Sequence, residues 1–291
     1  MPYKFLKPQI TNVWKATAES VLMELGKIWM ALILLLSVVI LVYPPVVVFL
    51  FFIPLFCLPL IFFTQIRKRA TFWKQFAELN GWQYKNFTPK EVNEWQHIIF
   101  AWLTATVFRS IDQKKELGIM FEQGNNRIIS NEIEGAIEGR IFRIFNYQFS
   151  VGLGKNKSTH YYTVFTLKFD GSFPNIYLNN KKNSWSIKVG EMLLLPAEFE
   201  KEFSLSAPRK YEIEALEIFT PDILIKLLDS DLPHDVELIE NQIFIFVDGQ
   251  INNFEQIEKE FNKALELEDL FDEKLDKFKF QQIGDMSYIL K

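Results

Sequence analysis

The chain has 291 residues, a formal net charge of −4, 49% apolar residues and one cysteine. That lone residue, Cys57, excludes an intramolecular disulfide and any cysteine-based zinc centre, in keeping with a cytoplasmic domain. Residues 1–74 hold eight Lys/Arg and two Glu; removing these from totals of 32 and 36 leaves 24 cations and 34 anions, a net of −10 over residues 75–291. So acidic a domain lacks the electrostatic footprint of a nucleic-acid binder, and no nucleic-acid partner is expected.

Residues 1–27 read as an amphipathic N-terminal arm, with Ile10, Val13, Trp14, Ala18, Val21, Leu22 and Leu25 at helical spacing. The next 39 residues, 28–66, carry no charge. One helix of that length would be roughly 58 Å long, about twice the hydrocarbon core of a bilayer. Pro44-Pro45 divides it, since proline ends one helix and suits the first turn of the next. The segment therefore predicts a transmembrane helical hairpin over 28–66, broken at Pro44-Pro45, that either spans fully or dips in and returns. Lys4, Lys7, Lys15 and Lys27 precede it and Arg67, Lys68, Arg69 and Lys74 follow it, whereas its turn has no cation. That asymmetry predicts a multi-pass protein of the bacterial inner membrane with both termini cytoplasmic.

Residues 67–291 remain for a cytoplasmic α+β domain. A short helix is expected over 71–80, stopped by Gly81, and an aromatic helix over 89–109 whose load suits either a core or headgroup contact. From about Arg127 the period becomes two. Phe145, Tyr147, Phe149 and Val151, and then Tyr161, Thr163, Phe165, Leu167 and Phe169, predict an antiparallel strand pair joined by residues 152–160. Asp170-Gly171 and Asn179-Asn180 read as turns, and 176–178, 185–189 and 199–205 as further strands. A helix is expected over 211–219. Thr220-Pro221-Asp222 opens another, with Ile223, Leu224, Leu227 and Leu228 as its buried stripe. Residues 237–247 read as a strand, and Asn252 and Asn253 as the cap of a long acidic helix reaching about Phe278.

No motif passes its own chemical test. Residues 152–159 (GLGKNKST) imitate a phosphate-binding loop, but Phe149 stands where the first glycine belongs, Asn156 where the hydroxyl belongs, and a strand follows in place of a helix. Lys155 and Lys157 are left as a weak anion or headgroup contact. His97, His160 and His234 lack a partner at ligand spacing, and adjacent His234 and Asp235 would point to opposite faces of a strand. The acidic run Glu266, Glu268, Asp269, Asp272, Glu273 and Asp276 lacks the spacing and glycine of a calcium loop and reads as a solvated helix face.

Several local signatures occur together. They are Asn80-Gly81-Trp82, Gly135 with Gly139, Phe145-Asn146-Tyr147, Val151-Gly152 with Gly154-Lys155, Phe199 with Phe203, the run Tyr211 to Leu216, Phe219-Thr220-Pro221-Asp222, and Asp235-Val236-Glu237. Over about residues 65–275 the chain resembles a group of uncharacterised bacterial membrane proteins with an N-terminal hairpin anchor and one cytoplasmic domain of unknown function. The resemblance implies a hairpin anchor and one cytoplasmic domain and carries over no assigned activity, while the order of strands and helices predicts that the domain is α+β, with a mostly antiparallel sheet flanked by helices. The expected role is a membrane-anchored protein-interaction or scaffold domain, binding another protein or itself beside the bilayer, without cofactor, metal or catalytic site. The alternative is a module for a lipid or small ligand, or an enzyme whose site is assembled from residues distant in sequence.

Overall fold

The computed structural model describes residues 2–7, 68–85, 109–110, 118–153, 156–183, 190–230 and 233–279. The chain forms two compact units, Leu6–Phe108 and Met1–Phe5 with Arg109–Lys291. In the first, helix α1 (residues 68–79) buries Trp73, Phe76 and Ala77, and Phe76 meets Trp82 edge-on at 5.6 Å. Asn80 closes the helix end: its side-chain amide accepts from Leu6 N–H and donates to the Leu6 carbonyl, both at 3.0 Å. Gly81 follows at φ 72°, the left-handed stop expected from the sequence. Strand β1 (Gln83–Lys85) completes the described part of this unit.

The second unit is built on antiparallel strands: β2 (Arg109–Ser110), β3 (Asn125–Ile137), β4 (Arg140–Val151), β5 (Ser158–Asn180), β6 (Glu191–Met192), β7 (Phe203–Ala207) and β8 (Asp235–Asp248). They run β3-β4-β5-β7-β6 across the sheet, with β2 beside β3 and β8 beside β5. Its helices are α2 (Ala197–Glu202), α3 (Glu212–Ile218), α4 (Pro221–Asp229) and α5 (Phe254–Lys279). β3 and β4 are joined through Glu138 and Gly139, at φ 51° and 85°. Two left-handed residues in succession match the twist of a tight hairpin.

β5 organises the unit. Straight, its 23 residues would stretch roughly 75 Å, against a radius of gyration of about 16 Å for a unit of this size. It therefore has to bend. The bend lies where its register with β8 shifts, between Lys168, Phe173 and Ile176, where Pro174 has no N–H to give a ladder and Glu240 across the sheet takes φ 51°. Before the bend β5 lies between β4 and β8; after it, between β8 and β7.

The two sides of the sheet bury different partners. α5 covers one, where Phe261 packs on Phe5, Phe142 and Phe165 at 4.9–6.3 Å. On the other a 3-10 turn, Ile119–Glu122, inserts Phe121 among Phe145, Tyr147, Phe244 and Phe246 at 4.8–5.8 Å. α5 starts where the asparagines suggested: Asn253 Oδ1 accepts from Glu255 N–H at 2.8 Å.

The structure corrects the fold class expected from the sequence. The described chain is mainly one antiparallel sheet with few helices, not an α+β domain behind a helical hairpin. The reason is local: from Asn125 to Asn180 the chain is strand almost throughout, with Ile, Val, Thr, Phe and Tyr recurring along its strands. Among the described residues no helix is long and apolar enough to cross a membrane, which corrects the transmembrane-helix reading and the multi-pass inner-membrane location drawn from it. Residues 28–66, on which that reading rested, lie outside the described residues, as do the helix over 89–109 and the strand over 185–189. Two smaller corrections concern the middle of the chain. Asp170-Gly171 is a bulge within β5, not a turn, and residues 199–202 are helical, with Phe199 buried against Phe203 at 5.0 Å.

Candidate functional site

Of the two cations the sequence singles out, only Lys157 lies among the described residues. Lys157 is exposed beside the β4–β5 hairpin, while Lys155 lies outside the described residues, as does His97. His160 stacks on Phe149 at 5.2 Å. His234 is buried, and its Nε2 lies 2.7 Å from Glu260 Oε2, tying the start of β8 to α5. The acidic run on α5 is partly structural: Arg140 pairs with Glu268 at 2.9 Å and Asp269 at 2.7 Å. Among the described residues no cluster of His, Cys, Asp or Glu could hold a metal ion.

The unusual chemistry lies on the side of the sheet covered by the Ile119–Glu122 turn, past the bend in β5. Tyr177 pairs with Glu237 on β8 and with Ser206 on β7, so these three face the same way. Asp235 is two residues before Glu237 and Asn179 two after Tyr177, which puts them on that face as well. Tyr177, Asp235 and Glu237 have no exposed surface, and Ser206 and Asn179 almost none. This buried face carries two carboxyls and a line of amides and hydroxyls.

Glu237 is held by backbone. Ile119 N–H donates to Oε1 at 2.7 Å and Met120 N–H to Oε2 at 3.3 Å. Gly118 allows the approach, because a Cβ there would lie 2.2 Å from Oε2. The same turn is fastened by Tyr147 Oη and Arg127 Nη1, which donate to the Met120 and Phe121 carbonyls at 3.4 and 3.1 Å. Burial pushes the Glu237 carboxyl up to about 7, against the pull of the Ile119, Met120 and Asn175 donors.

Asp235 is held on one side only. Its Oδ1 accepts from Asn180 N–H at 2.7 Å and Asn183 Nδ2 at 2.9 Å. Its Oδ2 is buried without a hydrogen-bond partner. The Tyr177 hydroxyl lies beside the carboxyl and helps to hold its charge, but forms no well-aligned hydrogen bond with it. Burial raises Asp235 to about 6 and drives the Tyr177 hydroxyl far above the usual phenol range. Asn175 Oδ1 and Asn179 Oδ1 are likewise buried and unpartnered. A buried acceptor left unpaired costs about 1–3 kcal/mol, so four in one place is an expensive arrangement for a purely structural core.

Comparison with known proteins adds one distant likeness. No protein-family model matches the chain, and no curated protein matches it by sequence. Among solved structures, the mycobacterial trehalose monomycolate transport factor A is similar at a TM-score of 0.41 and 15% identity, over 69% of this chain and 96% of that one.

Sequence reading passed over Asp235, Glu237, Tyr177, Asn175 and Asn179 as site residues, although a signal was present. Asn-x-Tyr-x-Asn over 175–179 and Asp-x-Glu over 235–237 put polar residues at every second position of strands that are otherwise apolar. In two neighbouring strands that pattern marks one polar face.

Proposed function

We propose that the sheet unit is a non-catalytic binding module that takes a small polar ligand at the Asp235–Tyr177 corner. The supporting observation is a set of four buried oxygens without an aligned hydrogen bond, Asp235 Oδ2, Tyr177 Oη, Asn175 Oδ1 and Asn179 Oδ1, of which the Tyr177 hydroxyl can itself donate. An occupant that brings hydrogen-bond donors would offset their desolvation, and it would gain orientation from a carboxyl already fixed on its Oδ1 side. The test is native mass spectrometry of the full chain beside Tyr177→Phe and Asp235→Asn. A small molecule retained by the wild type and lost by both variants supports the reading. A bare chain mass, with a crystal structure placing ordered water on all four oxygens, refutes it.

A second reading, docking of another protein, draws support from a separate surface. Ile213 and Leu216 on α3 and Ile225 on α4 stand 72%, 42% and 58% exposed on two short, consecutive helices. Ile213→Asp with Ile225→Asp should abolish any specific crosslink formed through this face; an unchanged crosslink pattern removes the reading.

A further inference from the structure

The unpartnered atoms at this corner are all oxygens, and that narrows what can occupy it. Amide nitrogens at the corner already have work. Asn183 Nδ2 and Asn180 N–H serve Asp235, and Asn175 helps to hold Glu237. An anionic ligand, whether phosphate or carboxylate, would meet two carboxyls and two amide oxygens, and the Tyr177 hydroxyl that could donate to it already lies beside the Asp235 carboxyl. The electrostatic setting points the same way. Further acids act on the two carboxyls, Asp248 from the far end of β8 on Asp235 and Glu122 from the covering turn on Glu237. From β5, Tyr162 feels Asp235 and Asp248, and Tyr177 feels Asp235 and Glu237. His234 points away, to Glu260 on α5. Negative charge is thus gathered in a buried place, with an incomplete coordination shell for a divalent ion.

We propose that the occupant's binding group is a primary ammonium, taken up by Asp235 Oδ2, Asn179 Oδ1 and Tyr177 Oη acting as acceptor. This deepens the binding reading above and rests on it. An ammonium group brings three N–H donors and one positive charge, which matches three spare acceptors and one carboxylate. Divalent ions want six or more oxygens and shed water reluctantly, so they fit poorly. Uptake requires local opening, because the corner has no exposed surface. The element covering Glu237 is the four-residue turn Ile119–Glu122, so opening there withdraws Phe121 from its aromatic slot and releases the Glu237 hydrogen bonds. A proton competes for the same carboxylate. With Asp235 titrating near 6, its ionised share falls about tenfold between pH 7 and pH 5, and ammonium affinity should fall with it.

The experiment measures thermal stability of the full chain at pH 7.5 in methylammonium chloride, with equal concentrations of potassium chloride and tetramethylammonium chloride as comparisons. Methylammonium is expected to raise Tm beyond both. Its apparent affinity should weaken about tenfold at pH 5 relative to pH 7. The specific shift should largely vanish in Asp235→Asn and in Tyr177→Phe, the latter removing one unpartnered oxygen without disturbing packing. Equal shifts in all three salts overturn the proposal, as does a methylammonium shift that survives both variants. A potassium effect equal to methylammonium and above tetramethylammonium assigns a bare monovalent ion and also overturns it. If methylammonium does nothing while native mass spectrometry still finds a neutral molecule lost in the variants, the binding reading stands and the ammonium assignment falls. If both experiments are blank, both fall.

Discussion

Replacing Glu237 by Gln should remove a defined share of the pH dependence of stability. The carboxyl is raised from 4.5 to about 7 in the fold, chiefly by burial. A folded-state value above the unfolded one means that the native protein holds an extra proton between those limits. Its contribution is full below pH 4.5, declines as pH rises, and is gone above pH 7. A shift of about 2.5 units corresponds to about 3 kcal/mol. Glutamine keeps one oxygen for the Ile119 N–H and never ionises. The assay is urea unfolding of wild type and Glu237→Gln at half-unit steps from pH 4.5 to 8, with the difference in unfolding free energy plotted against pH. Taking the difference cancels other titrating groups, including Glu260, whose depressed carboxyl acts in the opposite sense. The variant should gain on wild type by about 3 kcal/mol across that range, most steeply between pH 5 and 7. A flat difference would mean that the carboxyl does not titrate inside the fold, and would refute the argument from burial.

Three further outcomes follow from the packing and the ion pairs. Phe121→Ala, which empties the slot between Phe145, Tyr147, Phe244 and Phe246, should cost about 3–5 kcal/mol in denaturant unfolding. Glu132 and Arg143 form a buried pair at 2.8 Å; losing either partner alone should cost roughly 3–5 kcal/mol. The double replacement Glu132→Leu with Arg143→Met should recover most of that loss, measured as a double-mutant cycle. Lys157→Ala, at an exposed position flagged by the sequence, should change stability by less than about 0.5 kcal/mol and leave methylammonium binding unaltered.

What the sequence by itself determined is the local rhythm. Alternation over 145–151 and 161–169 predicted the antiparallel strand pair, while the register that sets Tyr147 opposite Tyr162 and Phe145 opposite Val164 came only with the structure. Asn252-Asn253 marked the start of α5, Pro221 opened α4, and Gly81 ended α1, because caps and left-handed stops depend on neighbours within a few residues. It also showed that His234 and Asp235 part company, since successive strand residues face opposite sides: His234 reaches Glu260, and Asp235 reaches Asn180. Only the tertiary structure decided the rest. Asp170-Gly171 carried a turn signal, yet β5 runs through it as a bulge, because β8 supplies a partner strand on both sides of the irregularity. Glu237 stood in the sequence only as the first residue of a strand, and a turn more than a hundred residues earlier lays Ile119 and Met120 N–H on it. The Asp235–Tyr177 corner exists because a bent strand brings residues 175–179 beside 235–237. Their desolvation, and therefore their chemistry, is a property of that three-dimensional neighbourhood which no local pattern encodes.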